Sequence, residues 1–197
     1  MATETKSLIS SAEALLPRIL GLKVRYRTPI VLIDGRSGAG KSTLAEILRD
    51  LVFQEDHQSP RVIHMDDLYP GWEGLLEGSL YLKEQILRPL AHEGKAHWQR
   101  WDWGEGIRGG KDEGNGWRAF EGDNLLIVEG CGSLTRASKE LSHFSIWVES
   151  DKDRRRNRFM SRDNGKLADR WPAWSEQEDE FYKEAMSSAL ADAIIRN

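Results

Sequence analysis

Residues 35 to 42 read Gly-Arg-Ser-Gly-Ala-Gly-Lys-Ser, which satisfies G-x-x-x-x-G-K-[ST] at every fixed position. Glycines at this spacing let the backbone curl until successive N–H groups face one point, and a helix opening at Lys41 adds its positive end there. Such a nest takes phosphate oxygens. Gly35, Arg36, Ser37, Gly38, Ala39, Gly40, Lys41, Ser42 and Thr43 are therefore the candidate cradle for a nucleoside triphosphate, read as ATP. Lys41 would reach the β- and γ-phosphates, and the Ser42 hydroxyl would ligate Mg²⁺.

Two carboxylate positions complete that chemistry. Asp66-Asp67 closes the short apolar run RVIHM, and Glu129 closes another in LLIVEG. Open α/β sheets bind ligands beyond the carboxyl ends of their strands. A carboxylate at Asp66 can take the proton of an acceptor hydroxyl or hold Mg²⁺, and Glu129 stands where the acidic residue of a second nucleotide motif is expected. Further on, Arg154, Arg155, Arg158 and Arg162 fall at i, i+1, i+4 and i+8, most of them along one helical face. Guanidinium forks suit polyphosphate oxygens and neutralise a transferring phosphoryl group. An arginine-bearing lid over residues 151–175 fits this run, since a phosphotransferase must exclude water or hydrolyse its own ATP.

These groups need elements to hold them. The run Ile30–Asp34 (IVLID) is apolar throughout, as in a strand buried on both faces, and Lys41 to Phe53 turns Leu44, Ala45, Ile47, Leu48 and Leu51 inward as a helix. Arg61–Met65, Asn124–Glu129 and Phe144–Glu149 are further buried strands, and Ala193–Arg196 is a last one. Helices are expected over Ser7–Leu22, interrupted or kinked at Pro17, over Ser79–Leu90, halted by Pro89, and over Lys152–Arg162 and Trp174–Ser188. The Gly- and Trp-rich stretch from Ala91 to Glu121 reads as loop with irregular strands. Short buried strands alternating with helices give an α/β class: a three-layer α/β/α P-loop domain on a parallel sheet of about five strands.

The chain of 197 residues is the length of one domain, spanning 1–197. A single cysteine, Cys131, excludes a disulfide-stapled scaffold and reads as a small buried residue. No apolar window is long enough for a membrane span or a secretion signal, and the net charge of −4 argues against a nucleic-acid coat, so a cytoplasmic enzyme without nucleic-acid or membrane partners is expected. The five histidines show no metal-ligand spacing, and neither the N-K-x-D nor the D-x-x-G signature of a GTPase switch occurs.

The motifs VLIDGRSGAGKST, HMDDLY, WQRWDW, LLIVEGCG and RRRNRFMSRD, in that order, resemble those of the uridine kinase and phosphoribulokinase-like group of P-loop kinases, in particular a bacterial, nucleoside-kinase-like branch. The likeness spans about residues 28–196. It implies a parallel sheet with the P-loop strand central, Asp66 as base and metal neighbour, Glu129 as a Mg²⁺ holder, and Arg158 and Arg162 as lid arginines. Trp101-Asp102-Trp103 takes the place of the family's Tyr-Asp-Phe pocket stretch, but the histidine that follows it there is replaced by GEGIRGG. The segment Tyr69–Ser79 also departs from the nucleoside kinases.

The implied activity is ATP-dependent transfer of the γ-phosphate to a hydroxyl of a nucleoside-like acceptor. The alternatives are another small acceptor (a vitamin, sugar or sugar phosphate) or a non-catalytic ATP-binding regulator. Asp66, Asp67, Tyr69, Trp101, Asp102 and Arg108 are the candidate acceptor contacts, within a pocket-forming insert over residues 66–120. Asp102 would orient acceptor hydroxyls, and Arg108 would pair with it or with an acceptor phosphate. Five of the eight tryptophans lie between Trp72 and Trp117, where they form either a satellite core or a wall that stacks on a planar acceptor. Trp171 and Trp174 are read as packing residues that anchor the lid.

Overall fold

Pro29 introduces five consecutive buried residues, Ile30–Asp34, and in the computed structural model these form β1, the middle strand of the sheet. The structure describes residues 2–111, 113–161 and 165–197. In chain order the remaining elements of the main body are α1 (Ala2–Arg25), α2 (Lys41–Asp56) and β2 (Arg61–His64), followed by α3 (Leu75–Tyr81) and α4 (Arg88–Glu93). Four short strands come next: β3 (Ala96–Gln99), β4 (Trp101–Asp102), β5 (Ile107–Arg108) and β6 (Trp117–Phe120). The chain then forms β7 (Leu126–Glu129), α5 (Arg136–Glu140), β8 (Phe144–Glu149), α6 (Lys152–Met160), α7 (Trp171–Ala185), α8 (Ser187–Leu190) and β9 (Ala193–Arg196).

The main sheet runs β2-β7-β1-β8-β9 with every neighbour parallel, which is the expected five-strand sheet with the P-loop strand at its centre. Alternation along β1 divides the core. Val31 and Ile33 face α1 and α2, where they meet Ala12, Ile19, Leu44 and Leu48. Ile30 and Leu32 face the opposite side, against Leu75, Leu82, Ile86 and Leu90. Helices therefore cover both faces, as a parallel sheet requires.

Two prolines lie inside helical segments without ending them. The helix α1 continues through Pro17, although the ring removes one backbone donor. Burial of Leu8, Ala12, Ile19 and Leu22 on either side of it holds the helix together. Pro89 does not halt its helix either: a π-type turn, Leu82–Leu87, precedes it, and Pro89 falls in the first turn of α4, where a missing N–H costs least. That helix ends instead at Gly94, in the left-handed conformation (φ 75°). The Ala91–Glu121 stretch is loop with two small antiparallel pairs, β3 with β6 and β4 with β5. No described helix is long and apolar enough to cross a membrane.

Candidate functional site

The turn after β1 makes its curl with glycine at two points of close approach. Gly38 has φ 78°, and a Cβ there would lie 2.3 Å from the Arg155 carbonyl oxygen. Gly40, at φ 104°, opens α2 without a side-chain cap, so the first-turn amides of a 16-residue helix are left for an anion. Lys41 is the first residue of that helix and is buried. Its ammonium donates to the Arg36 carbonyl at 3.1 Å and to Cys131 Sγ at 3.4 Å. Burial works to lower its pKa, but Cys131, Glu129, Glu178 and Asp34 around it outweigh this and leave it raised. Such a buried, charged amine is ready for phosphate oxygens.

Beside it, Ser42 Oγ donates to Glu129 Oε1 at 3.0 Å, and the same oxygen lies 2.6 Å from His64 Nδ1. Burial alone would lift the Glu129 pKa; the His64 hydrogen bond, Lys41 and Ser42 together hold it below its ordinary value. Register brings the pair together, because His64 and Glu129 are opposite one another at the ends of β2 and β7. Asp66 follows in a one-turn 3₁₀ helix, Met65–Asp67, and lines the same cavity as Ser42 and Glu129. Among the described residues no three His, Cys, Asp or Glu side chains cluster tightly enough to hold a metal by themselves. The donor set fits Mg²⁺ shared with phosphate, which needs only one or two protein oxygens beside the ligand's own.

Asp34, at the end of β1, accepts from the backbone N–H groups of Gly35, Gly132 and Leu134 and from the Tyr182 hydroxyl at 2.7 Å. Burial pushes its carboxyl up to about 6 against those donors. Glu178 is fully buried on α7 and was not singled out by sequence. Its Oε1 accepts from Ser37 N at 2.6 Å and from Trp174 Nε1 at 3.0 Å. Its Oε2 lies 3.8 Å from Arg36 and 3.6 Å from Arg155. Trp174, Glu178 and Tyr182 follow at i, i+4 and i+8, a single row on the helix. That row touches in turn the cavity, the P-loop and the end of β1.

On α6, Arg158 donates to the Gly38 carbonyl at 2.9 Å and Arg155 to that of Ser37 at 3.4 Å, so both face the P-loop. Arg154 pairs with Asp151 at the start of its own helix. Arg162 lies outside the described residues.

The P-loop opens into a cavity of about 440 Å³. Ser37, Lys41, Ser42, Asp66 and Glu129 line it with Gly130 and Cys131, together with a mostly aromatic set, Tyr69, Trp72, Trp103, Phe159, Leu167 and Trp174. Trp72 is the hub of the aromatic part, with ring centroids 5.2 Å from Trp103, 6.0 Å from Trp174 and 6.5 Å from Phe159. Trp174 is thus part of the wall, beyond the packing role expected for it. Trp98 is buried in the core and Trp117 is exposed, so the tryptophan-rich segment divides between satellite core, surface and wall.

Several sequence candidates are spent elsewhere. Asp67 pairs with Arg100 at 2.9 Å. Asp102 does not line the cavity: its carboxylate accepts from the N–H groups of Gly104, Glu105 and Lys111, which closes the β4–β5 turn and lowers its pKa. Arg108 points back into the protein, donating to the Leu68 carbonyl at 2.9 Å, with its guanidinium 3.5 Å from the Tyr81 ring centroid. Trp101 is also absent from the lining and lies near that same guanidinium, at 5.9 Å.

No family model and no curated protein matches the sequence. Solved structures do. A protein described as "Possible Uridine Kinase" from Bacillus stearothermophilus is 20% identical, with 92% of this chain matched to 99% of that one at a TM-score of 0.60. D-glycerate 3-kinase from Cryptococcus neoformans is 14% identical, with 91% of this chain matched to 87% of that one at a TM-score of 0.54. At these identities the likeness is one of fold. The chain has the fold of P-loop small-molecule kinases.

Proposed function

We propose that this protein is an ATP-dependent kinase that transfers the γ-phosphate of ATP to a hydroxyl of a small acceptor, nucleoside-like in having a flat body. The observation that carries this reading is the composition of one cavity. Lys41, Ser42, Glu129 and Asp66 occupy one part, and a wall of aromatic rings occupies the other. A regulator that only sensed ATP would have no use for a second, shaped compartment beyond the phosphates.

In this reading the amides of residues 38–42 and the Lys41 ammonium bind the β- and γ-phosphates. Ser42, Asp66 and Glu129 would hold Mg²⁺, whose positive charge offsets that of the phosphate oxygens. Asp66 accepts the acceptor's hydroxyl proton as the new O–P bond forms and the bond to the bridging oxygen of ADP breaks. Arg155 and Arg158 brace the P-loop, and we read residues 151–175 as the lid that excludes water. The adenosine end of ATP would lie toward an open cavity beside the P-loop, bounded by Glu149, Asp151, Arg154 and Asn197. There Asn197 Nδ2 donates to the Ala39 carbonyl at 2.7 Å.

The test is an ADP-release screen with Mg²⁺ and ATP against nucleosides, vitamins, sugars and sugar phosphates. At least one acceptor should stimulate release, and Asp66→Asn should abolish that stimulation while ATP binding persists. Release that never depends on an added acceptor would sink the kinase reading.

A further inference from the structure

The geometry points to an acceptor whose flat body is uncharged and apolar, selected by stacking rather than through the hydrogen-bonding edges of a nucleobase. This rests on the kinase reading above and narrows it. Among the described residues, six side chains form what we read as the acceptor part of the cavity: Tyr69, Trp72, Trp103, Phe159, Leu167 and Trp174. Four of these carry a polar tip, and the protein itself consumes three. Tyr69 Oη donates to the Cys131 carbonyl at 2.8 Å, Trp174 Nε1 to Glu178 at 3.0 Å, and Trp103 Nε1 to the Asp66 carbonyl at 2.9 Å. Beyond the Trp72 indole N–H, what these residues offer a ligand is ring faces and edges.

Charge is arranged the same way. Among the described lining residues Lys41 is the one cation, and it belongs to the P-loop. Arg170 stands 5.8 Å from the Trp72 ring centroid but does not line the cavity, and other nearby arginines are engaged with protein groups. Arg100 pairs with Asp67, Arg108 holds the Leu68 carbonyl, and Arg36 and Arg155 face Glu178. The described wall thus offers no cation for an acceptor phosphate or carboxylate. A uracil edge or a row of sugar hydroxyls buried against it would lose its water partners and find at most the Trp72 N–H in return, a penalty that decides specificity. A flat apolar body loses nothing of that kind and gains contact with several rings.

The test uses isothermal titration calorimetry on the full chain with Mg²⁺ and a non-hydrolysable ATP analogue. Tryptophol and 2-phenylethanol serve as flat apolar alcohols, and uridine, D-fructose and D-glycerate as polar ones. Tryptophol should bind at least about tenfold more tightly than each polar compound, which is the order expected of aromatic stacking. Equal or tighter binding of any polar compound overturns the inference, as does failure of both aromatic alcohols to bind. Trp103, at 42% exposure, can be changed without opening the core. Trp103→Ala should weaken tryptophol about tenfold and leave the affinity of the ATP analogue unchanged, and Trp103→Phe should recover most of the loss. An unchanged tryptophol affinity in Trp103→Ala overturns the stacking role. ADP release with the same compounds separates the two readings. Tight tryptophol binding with no acceptor-stimulated release across the whole screen removes the kinase and keeps the pocket, whereas release driven by uridine removes the pocket assignment and keeps the kinase.

Discussion

Lys41 and Trp103 line the same cavity, yet the chain holds them by opposite means. Lys41 stands on the first turn of a long helix, and the groups around it (Ser37, Ser42, Glu129, Glu178) are tied to one another by hydrogen bonds of 2.6–3.0 Å. Trp103 stands on a turn beside a two-residue strand, half-exposed, fixed by one bond to a backbone carbonyl and by the ring of Trp72. The phosphate end is a charged site in which each buried ion is answered by another. The proposed acceptor end is a set of faces, three of whose four polar tips are held by the protein. The contrast teaches a division of labour. In the proposed reading the phosphate end is held by linked charges, whereas the wall meets those charges only through single indole N–H groups, Trp174 at Glu178 and Trp103 at the Asp66 carbonyl.

The comparison can be broken at several points. The largest effect should come from Lys41→Met, which should lower acceptor-stimulated ADP release by about 10²–10³-fold or more, as loss of a preorganised charge on the transferred group does. Thermal unfolding checks that the fold persists. Glu178→Gln comes next. It leaves buried Arg155 facing a neutral amide while Arg36 keeps Asp179 at 2.6 Å, and urea titration should show a loss of about 3 kcal/mol, the lower end of the range for breaking a buried ion pair. A change near zero would mean that Glu178 is a spectator. Trp174→Phe keeps a ring in the wall but removes the N–H that Glu178 accepts, at a cost of about 1–2 kcal/mol. Because of that link, it should raise the KM for ATP, whereas Trp103→Phe should not. If both variants leave the ATP constant alone, the two ends are independent. The smallest effect is expected of Asp102→Asn: with its carboxylate committed to the β4–β5 turn, the kinetic constants for both substrates should match the parent's.

The phosphate end was legible because its information is local. Eight consecutive residues carry the loop, and the flanking apolar runs identify the strand and helix on either side. Asp66 and Glu129 reach the cavity as expected of residues that close apolar runs at or just beyond a strand's end. The wall was legible only in part: Tyr69 and the Trp72–Trp117 segment were candidates, but Phe159 and Trp174 join from elsewhere, so that the rings come together from four separate stretches of chain. Asp102 misled for a physical reason: an aspartate between two tryptophans looks like a recognition group, but its short carboxylate is equally suited to capping a turn. Glu178 was hidden within a run of acidic residues, Glu176 to Glu180, that reads as a solvated surface. Its position between Trp174 and Tyr182 at steps of four was the available signal, a carboxylate on the apolar face of its helix. The expectations at Pro17 and Pro89 show the opposite lesson, that tertiary burial and a wide turn can carry a helix past a residue that ends it in isolation.

The row Trp174, Glu178, Tyr182 has a consequence for how such a chain can change over time. Each member serves a different part of the protein, so substitutions can be traded at one level while the other two stay as they are. A change of length cannot. One residue inserted between Trp174 and Tyr182 would turn everything beyond it by about 100° around the helix axis. Tyr182 would leave Asp34, or Trp174 would leave the cavity, whichever way the helix settled. Homologues built on this plan should therefore vary freely in the composition of the segment and hold its length constant, with insertions gathering instead in the loops at either end.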